Sequence, residues 1–205
     1  WRLWQRQAMY AYAQFQGRAF LLSACPGAGK TDAALEIGRQ ERRRFGSWIV
    51  PIVPTDFLRK QWVDAGAQRG IHLMIVKDDK NDDLGKAGYD GFVMTYQQLF
   101  NQQNAVASFV RARRTFPIVD EVHHAGERQT WGRALEVAFQ AAPKALLLTG
   151  TPWRRDPSSP IPWARYVDDV VSVDFAYEYG AAVLDGMCRK IKFQFYTCDD
   201  VRWID

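Results

Sequence analysis

Residues 19–31 read AFLLSACPGAGKT. Its first six residues are apolar or small and are typical of a buried strand, whereas Lys30 and Thr31 open an amphipathic pattern typical of a helix. Gly27 and Gly29 lie between them, where glycine permits a tight turn whose backbone N–H groups point inward. The stretch therefore predicts a strand, a turn and a helix in immediate succession.

Residues 24–31 are close to the phosphate-binding pattern G-x-x-x-x-G-K-[ST], with alanine in place of the first glycine. Such a loop holds phosphate through main-chain N–H groups and the positive end of the helix dipole. Lys30 is predicted to reach the β- and γ-phosphates of a nucleotide, and the Thr31 hydroxyl to bind Mg²⁺. A glycine-rich turn before a helix is the plainer alternative. The combined signals favour nucleotide binding, with a predicted cradle of Pro26, Gly27, Ala28 and Gly29.

A second apolar strand, predicted over 116–119, runs into the carboxylates of Asp120 and Glu121. The carboxyl end of a strand is where α/β sheets bind their ligands. Asp120 is predicted to hold Mg²⁺, directly or through water, and Glu121 to orient and deprotonate an attacking water. His123 is expected to sense the γ-phosphate and to connect to a later segment. A strand-end turn with solvated acids is the alternative, which the preceding phosphate loop makes less favoured.

Apolar runs alternate with amphipathic stretches along the chain. Strands are predicted over 19–24, 48–53, 71–76, 91–94, 116–119 and 145–148, and helices over 2–15, 31–44, 55–69, 96–100, 105–112 and 129–140. Thr55 and Thr95 stand where helix N-caps are expected. Alternation at this spacing predicts an α/β fold with a mostly parallel central sheet flanked by helices on both faces. Residues 77–88 and 152–162 are predicted to be loops.

The composition is that of a folded domain. Of the 205 residues, 47% are hydrophobic and 24% charged, and the net charge of +4 permits a polyanionic partner without requiring one. The three cysteines are too few and too widely spaced for a disulfide framework or a zinc cluster, which predicts a reduced, cytoplasmic location. Cys25 is expected to fill space in the loop rather than to react. Because no apolar run approaches the roughly 20 residues of a membrane span, no membrane partner is predicted.

With both motifs in hand, the sequence resembles the superfamily 2 helicases and translocases of the DExH type. It is similar to the group that shares its motor with the type III restriction subunits. Residues 120–123 read DEVH, which is the DExH box, and residues 2–8 resemble the R-x-[YW]-Q-x-x-A element found upstream of the P-loop. The resemblance covers about residues 2–156. It implies a RecA-like P-loop NTPase domain that binds ATP and Mg²⁺, with Gln5 reading the adenine edge.

Three further segments resemble the family in the right order. Residues 54–58 (PTDFL), followed by Gln61 and Trp62, resemble motif Ia. Residues 95–99 (TYQQL) resemble the T-Y-x-x-L element that touches the nucleic-acid backbone, and residues 149–152 (TGTP), with Arg154 and Asp156, resemble motif III. The nucleic-acid contacts that the resemblance implies are Pro54, Thr55, Thr95 and Tyr96. The residues that it implies for coupling hydrolysis to movement are Thr149, Gly150 and Thr151. Hydroxyls and helix N-termini bind phosphate without reading bases, although an ordinary N-cap is the alternative role of each threonine.

The resemblance also implies an ATP-binding domain over 1–165 and a connector over 166–205 that leads toward a second RecA-like domain. That partner domain supplies the arginine finger in the family, and no Q-x-x-G-R-x-x-R-like segment occurs in this chain, which starts at Trp1 without Met. We therefore expect half of a motor, weak in hydrolysis by itself and acting on DNA in preference to RNA. Two alternatives stay open: a non-catalytic nucleic-acid-binding or scaffold module with a vestigial P-loop, and another P-loop enzyme such as a small-molecule kinase.

Overall fold

A computed structural model describes residues 1–77, 84–127, 129–151, 160–168, 170–188 and 190. The strands are β1 (Ala19–Ala24), β2 (Trp48–Val53), β3 (Leu73–Ile75), β4 (Gly91–Thr95), β5 (Thr115–Val119), β6 (Ala145–Thr149), β7 (Arg165–Val167), β8 (Val170–Ser172) and β9 (Phe175–Tyr177). The helices are α1 (Leu3–Gln14), α2 (Lys30–Phe45), α3 (Asp56–Ala67), α4 (Tyr96–Ala112), α5 (His123–Glu127), α6 (Gln129–Phe139) and α7 (Tyr179–Leu184).

The centre of the structure is a seven-stranded sheet with the strand order β3-β4-β2-β5-β6-β1-β9. Every neighbouring pair in this sheet is parallel. A separate antiparallel pair is formed by β7 and β8. The predicted α/β fold with a mostly parallel sheet is therefore confirmed, and the predicted strands 19–24 and 48–53 coincide with β1 and β2.

Helices cover both faces of the sheet and bury two apolar cores. Leu22 and Leu148 lie in the core formed with α1, α2 and α3, whereas Leu21 and Leu147 lie in the core formed with α4 and α6. Because neighbouring strand residues alternate between faces, a strand covered on both sides is apolar at nearly every position. This explains the long apolar runs of β1 and β6. Because the two strands are parallel neighbours, the phosphate loop and the segment after β6 lie at the same edge of the sheet.

The helices predicted over 96–100 and 105–112 are a single helix, α4, so the predicted break between them is wrong. The polar residues 101–104 that suggested the break are exposed or half-buried on the outer side of this helix. Glutamine and asparagine cost little at the surface of a helix, so they interrupt the apolar pattern without interrupting the backbone hydrogen bonds. The helix begins with a capping box between Thr95 and Gln98.

The segment after β8, predicted to be part of a connector, adds the last strand to the sheet. The Asp174 carboxylate accepts a hydrogen bond from the Leu21 N–H at 2.8 Å, and β9 then lies parallel to β1. Beyond the ladder, the Cys25 N–H donates to the Tyr177 carbonyl at 3.2 Å. The sheet therefore extends past the boundary predicted at residue 165 and reaches the phosphate loop from the side opposite β6.

Parts of the predicted loops and of the predicted connector lie outside the described residues, namely 78–83, 152–159, 169, 189 and 191–205. Motif III is therefore described only as far as residue 151. Within the described ranges, none of the helices combines the length and the apolar character that crossing a bilayer requires.

Candidate functional site

The segments predicted to bind nucleotide meet at the carboxyl edge of the sheet. Three neighbouring strands, in the order β5-β6-β1, end at Val119, Thr149 and Ala24. Because the strands are parallel, whatever follows each of them emerges at the same edge. The phosphate loop, the DExH box and residues 149–151 therefore lie side by side, although they are far apart in sequence.

The phosphate loop turns through two left-handed glycines. Gly27 has φ +76° and Gly29 has φ +94°, and Gly29 is the N-cap of α2. Glycine adopts this conformation readily, whereas an L side chain is strained there. The turn places the N-terminus of α2 at the edge of the sheet, so its first N–H groups and its dipole are available to an anion. The predicted strand–turn–helix is present.

We expect Gly29→Ala to destabilise the fold more than Gly27→Ala. Both substitutions impose a left-handed alanine, which costs about 1–2 kcal/mol. An added Cβ at Gly29 would lie 3.0 Å from Gln5 Nε2, whereas one at Gly27 would meet nothing within 4 Å. Thermal unfolding of the two variants measures the difference, and equal losses of stability would contradict a tight contact between the loop and α1.

Lys30 presents a buried ammonium at this edge. Its side chain is 9% exposed, and its Nζ donates to the Ala24 carbonyl at 2.9 Å. The same Nζ lies 3.6 Å from Glu121 Oε1. A Cβ added at Gly150 would lie 3.4 Å from this Nζ, so the lysine head is held between all three segments. A fixed cation of this kind suits the β- and γ-phosphates of a nucleotide.

Glu121 lies at the junction of the segments in a strained backbone conformation. Its φ is +48°, which is unusual for a residue other than glycine, and strained conformations of this kind cluster at functional sites. Oε1 faces the Lys30 ammonium, and Oε2 accepts a hydrogen bond from the Gly150 N–H at 3.3 Å. One carboxylate thus contacts both the phosphate loop and the segment that resembles motif III.

His123 contacts the later segment that the sequence predicted for it. Its Nδ1 lies 3.1 Å from Thr149 Oγ1 and 3.5 Å from Glu121 Oε2. Thr149 Oγ1 also accepts the Thr151 N–H at 3.1 Å. The DExH box and residues 149–151 are therefore joined by side-chain hydrogen bonds, while the role of His123 toward a γ-phosphate stays a prediction.

The Asp120 carboxylate is buried and held by donors on both oxygens. Oδ1 accepts the Glu121 N–H at 3.1 Å, and Oδ2 accepts the Trp62 Nε1–H at 3.0 Å. Burial raises the pKa of Asp120, and the hydrogen bond from Trp62 acts in the opposite direction. Trp62 was not predicted to be a site residue, because its proximity to Asp120 depends on tertiary packing.

The donor set at this edge fits Mg²⁺. Asp120 supplies a carboxylate and Thr31 a hydroxyl, and oxygen ligands of this kind are what Mg²⁺ prefers. Within the ranges that the structure describes, no group of three His, Cys, Asp or Glu side chains is arranged to hold a metal ion. A magnesium ion bound here would therefore take its remaining ligands from phosphate and water, as is usual for a cation that accompanies a nucleotide.

The N-terminus of α1 is fastened to the phosphate loop. Arg2 Nη1 donates to the Ala28 carbonyl at 2.6 Å, and Gln5 Nε2 donates to the Gly29 carbonyl at 3.1 Å. Gln5 Oε1 accepts the Arg2 N–H at 3.0 Å. A cleft of about 410 Å³ opens beside this contact and is lined by Trp1, Arg2, Gln5, Asp32 and Arg69. Gln5 is among the lining residues, and its predicted reading of adenine stays a prediction.

The predicted nucleic-acid contacts differ in exposure. Pro54 is half-buried and Thr55 exposed, and Thr55 caps the N-terminus of α3. Thr95 is only 7% exposed and is engaged in the capping box of α4 with Gln98. Tyr96 is 0% exposed, which is inconsistent with the direct nucleic-acid contact predicted for it. The alternative N-cap role therefore holds for both threonines, and their contact with nucleic acid stays a prediction.

Cys25 lies in the phosphate loop with its thiol turned toward Cys188. The two Sγ atoms are 3.2 Å apart, and Cys25 is buried. Burial, followed by the contact with Cys188, raises the pKa of Cys25 to about 11. A raised pKa favours the protonated, weakly nucleophilic form of the thiol. The space-filling role expected from the sequence stays a prediction.

A parallel sheet with a lysine-bearing phosphate loop, an adjacent carboxylate pair and a hydrogen-bonded third segment defines a helicase-like ATP-binding domain. The model of the family described as "Type III restriction enzyme, res subunit" matches residues 1–154 of this chain. The chain belongs to this family. The resemblance to superfamily 2 helicases that the motifs indicated is thereby confirmed.

Curated relatives of the chain are found in mycobacteria. An uncharacterized protein of Mycobacterium tuberculosis is 37% identical over 210 residues, which cover 100% of this chain and 34% of that protein. An uncharacterized protein of Mycobacterium leprae is 36% identical over 208 residues, covering 98% of this chain and 34% of that protein. The chain thus spans about a third of the length of the curated relatives it matches.

Solved structures share the fold at low identity. A nuclease-deletion mutant of the Type ISP restriction-modification enzyme LlaGI, in complex with a DNA substrate mimic, superposes with a TM-score of 0.67 at 20% identity, over 91% of this chain and 20% of that chain. The helicase domain of Pyrococcus furiosus Hef superposes with a TM-score of 0.56 at 19% identity, over 77% of this chain and 34% of that chain. The UvsW helicase of bacteriophage T4 superposes with a TM-score of 0.57 at 19% identity, over 74% of this chain and 52% of that chain. These likenesses show the RecA-like helicase fold.

Proposed function

We propose that this chain is the ATP-binding half of an ATP-dependent DNA helicase or translocase, in which hydrolysis drives movement on nucleic acid or its unwinding. The observation that carries the proposal is the position of Glu121, with one oxygen 3.6 Å from the Lys30 ammonium and the other accepting the Gly150 N–H. A carboxylate so placed contacts the phosphate loop and a third segment at once. Hydrolysis beside Glu121 would then alter the contacts of residues 149–151 directly.

ATP binds, in this proposal, with its phosphates in the loop of residues 26–29. Main-chain N–H groups and the dipole of α2 hold the phosphate oxygens, and the Lys30 ammonium faces the β- and γ-phosphates. Thr31 and Asp120 hold the accompanying Mg²⁺, which when bound neutralises charge on the phosphates. Gln5 faces the adenine from the N-terminus of α1.

Glu121 is the proposed general base. It accepts a proton from a water whose oxygen attacks the γ-phosphorus, while the bond from that phosphorus to the β–γ bridging oxygen breaks and leaves ADP and phosphate. Its two oxygens are already held by Lys30 and Gly150, which limits rotation of the carboxylate. His123, through Thr149, is the proposed route by which loss of the γ-phosphate changes residues 149–151.

Nucleic acid is proposed to bind where α3 and α4 begin. Pro54 and Thr55 precede α3, and Thr95 precedes α4, so each site combines a helix N-terminus with a hydroxyl. Such sites bind backbone phosphate without reading sequence, which a moving motor requires. Membership of a restriction-enzyme family and the DNA substrate mimic in the LlaGI structure support DNA over RNA.

A second RecA-like domain is proposed to complete the ATP site with an arginine finger. The chain spans about a third of the length of its curated relatives, which leaves room for such a domain in them. An arginine finger contributes roughly three to five orders of magnitude to the rate in related phosphoryl-transfer enzymes. We therefore expect the 205-residue chain to bind ATP and to hydrolyse it slowly.

The test is the ATPase rate of the full-length protein, measured without polymer and with single-stranded DNA, double-stranded DNA and RNA. The proposal predicts stimulation by DNA that exceeds stimulation by RNA. Strand displacement from a labelled duplex, run beside triplex displacement, separates unwinding from translocation alone. Hydrolysis that no nucleic acid stimulates would contradict the motor, and nucleic-acid binding without any hydrolysis would indicate a non-catalytic module with a vestigial phosphate loop.

A further inference from the structure

Two buried hydrogen-bond donors from different helices converge on Asp120. Trp62 in α3 donates its Nε1–H to Asp120 Oδ2 at 3.0 Å, and Tyr96 in α4 donates its hydroxyl to the Asp120 main-chain oxygen at 2.8 Å. The donors are 1% and 0% exposed. The acceptor of the Trp62 bond is a carboxylate, and hydrogen bonds to charged groups are the stronger ones in proteins; the acceptor of the Tyr96 bond is a neutral carbonyl. The metal-binding residue of the proposed site is therefore held by α3 and α4.

The two bonds act on different parts of Asp120. The Trp62 bond, together with the Glu121 N–H on Oδ1, fixes the rotation of the carboxylate and so decides which lone pairs remain for a cation. The Tyr96 bond fixes the main chain at the point where β5 ends and the left-handed Glu121 begins. Trp62 therefore orients the side chain, and Tyr96 positions the backbone on which Glu121 also depends.

The same helices begin at the proposed nucleic-acid sites. Thr55 caps α3, and Trp62 lies seven residues later, about two helical turns along the same element. Thr95 caps α4, and Tyr96 is the first residue of that helix. Each helix therefore connects a proposed nucleic-acid site with a hydrogen bond on Asp120.

A further set of hydrogen bonds links α3 to α4. Arg59 Nη1 donates to Gln98 Oε1 at 2.8 Å and to the Val76 carbonyl at 2.7 Å. Gln98 Nε2 donates to the same carbonyl at 3.0 Å. Because Gln98 belongs to the capping box of α4, a shift at the start of α4 is shared with α3.

A purely structural reading would hold that buried donors need acceptors and that Asp120 happens to supply one. In the described part of this chain, however, not every buried indole N–H has a hydrogen-bond acceptor. Trp4 Nε1 is buried and finds no hydrogen-bond partner among the described residues. The bond from Trp62 joins the metal carboxylate to a helix of the proposed nucleic-acid surface, which packing alone does not require.

We propose that Trp62 and Tyr96 are positioning residues that set the Mg²⁺-binding geometry of Asp120 and couple it to nucleic acid bound at the starts of α3 and α4. The inference rests on the proposed function, which it extends by naming the residues that connect the two sites. Neither residue contacts nucleotide or nucleic acid in this scheme. Both act through Asp120.

The first experiment measures the affinity for a mant-labelled, non-hydrolysable ATP analogue with and without Mg²⁺, exciting the mant group directly so that removing a tryptophan does not alter the signal. Trp62→Phe keeps an aromatic ring and removes the N–H. We expect it to reduce the Mg²⁺-dependent gain in affinity about tenfold or more, with the metal-free affinity unchanged. Trp48→Phe, a tryptophan at the opposite edge in a ring contact with Phe109, is the matched control.

Trp62→benzothienylalanine, which keeps the bicyclic shape without the N–H, gives the same test if the smaller phenylalanine loosens the fold. A wild-type protein whose nucleotide affinity does not respond to Mg²⁺ would contradict the proposed function itself. A wild-type protein that responds, together with Trp62 variants that respond equally, would overturn the inference alone.

The second experiment measures the ratio of DNA-stimulated to basal ATPase rate in the full-length protein. Tyr96→Phe removes one hydroxyl and is expected to lower this ratio about two- to tenfold. Tyr12→Phe is the matched control, because it removes an equally buried hydroxyl, bound to Glu41 at 2.9 Å, that has no connection to Asp120. An unchanged ratio in Tyr96→Phe, or an equal fall in Tyr12→Phe, would overturn the coupling.

Discussion

Glu121→Gln is expected to abolish ATP turnover in the full-length protein while leaving ATP binding intact. Glutamine keeps an oxygen that can accept the Gly150 N–H, but it cannot take a proton from the attacking water. Removal of a general base costs roughly 10²–10⁴ in rate. The measurement is a steady-state ATPase assay beside equilibrium binding of a fluorescent ATP analogue.

The control for this variant is Glu136→Gln, which neutralises an exposed carboxylate on α6. It is expected to keep the wild-type rate and affinity. A Glu121→Gln protein with substantial turnover would refute the general-base assignment. One that loses ATP binding and turnover together would place Glu121 among the binding residues instead.

Lys30→Ala is expected to weaken ATP binding by about 10- to 100-fold. The variant removes a cation held ready by the Ala24 carbonyl and by Glu121, and hydrogen bonds to charged groups are worth roughly 1.5–3 kcal/mol each. The loss of affinity should be larger for ATP than for AMP, because Lys30 is proposed to face the β- and γ-phosphates. Competitive displacement of a labelled nucleotide by ATP, ADP and AMP measures this dependence.

Lys144→Ala provides a matched control for that experiment. Lys144 also donates its Nζ to a backbone carbonyl, that of Phe15 at 2.8 Å, but it lies just before β6 at the opposite edge of the sheet. Its loss is expected to leave nucleotide affinity unchanged. If Lys30→Ala weakens the binding of AMP as much as the binding of ATP, the lysine does not face the terminal phosphates.

The phosphate loop and the DExH box were predictable because their functions depend on local backbone geometry. Gly27 and Gly29 occupy left-handed positions between a strand and a helix, so neighbouring residues in the sequence are enough to predict the loop. Asp120 and Glu121 follow an apolar strand directly. In both cases the pattern and the structure that it predicts span fewer than about 15 residues, within which sequence periodicity is informative.

Other features depend on packing between distant segments and were missed. Trp62 lies 58 residues from its acceptor in the sequence, and Tyr96 lies 24 residues from its own. The sequence pattern marks Trp62 only as part of the segment that resembles motif Ia, and Tyr96 only as a predicted nucleic-acid contact. Neither pattern indicates a hydrogen bond to Asp120. β9 is three residues long, and its partner strand β1 is about 150 residues away, so no local signal could assign it to the sheet. The prediction of two helices instead of α4 failed for the opposite reason. Polar residues interrupt the local apolar pattern there, but the helix continues through them.

The position of β9 has a mechanical consequence for the protein. Tension on the chain that follows α7 would reach β9 and, through its main-chain bonds and the bond from Cys25 to Tyr177, the strand that carries the phosphate loop. A load directed along parallel strands shears their hydrogen bonds together instead of opening them one at a time. The edge strand would thus act as an anchor that passes such a load to the base of the phosphate loop.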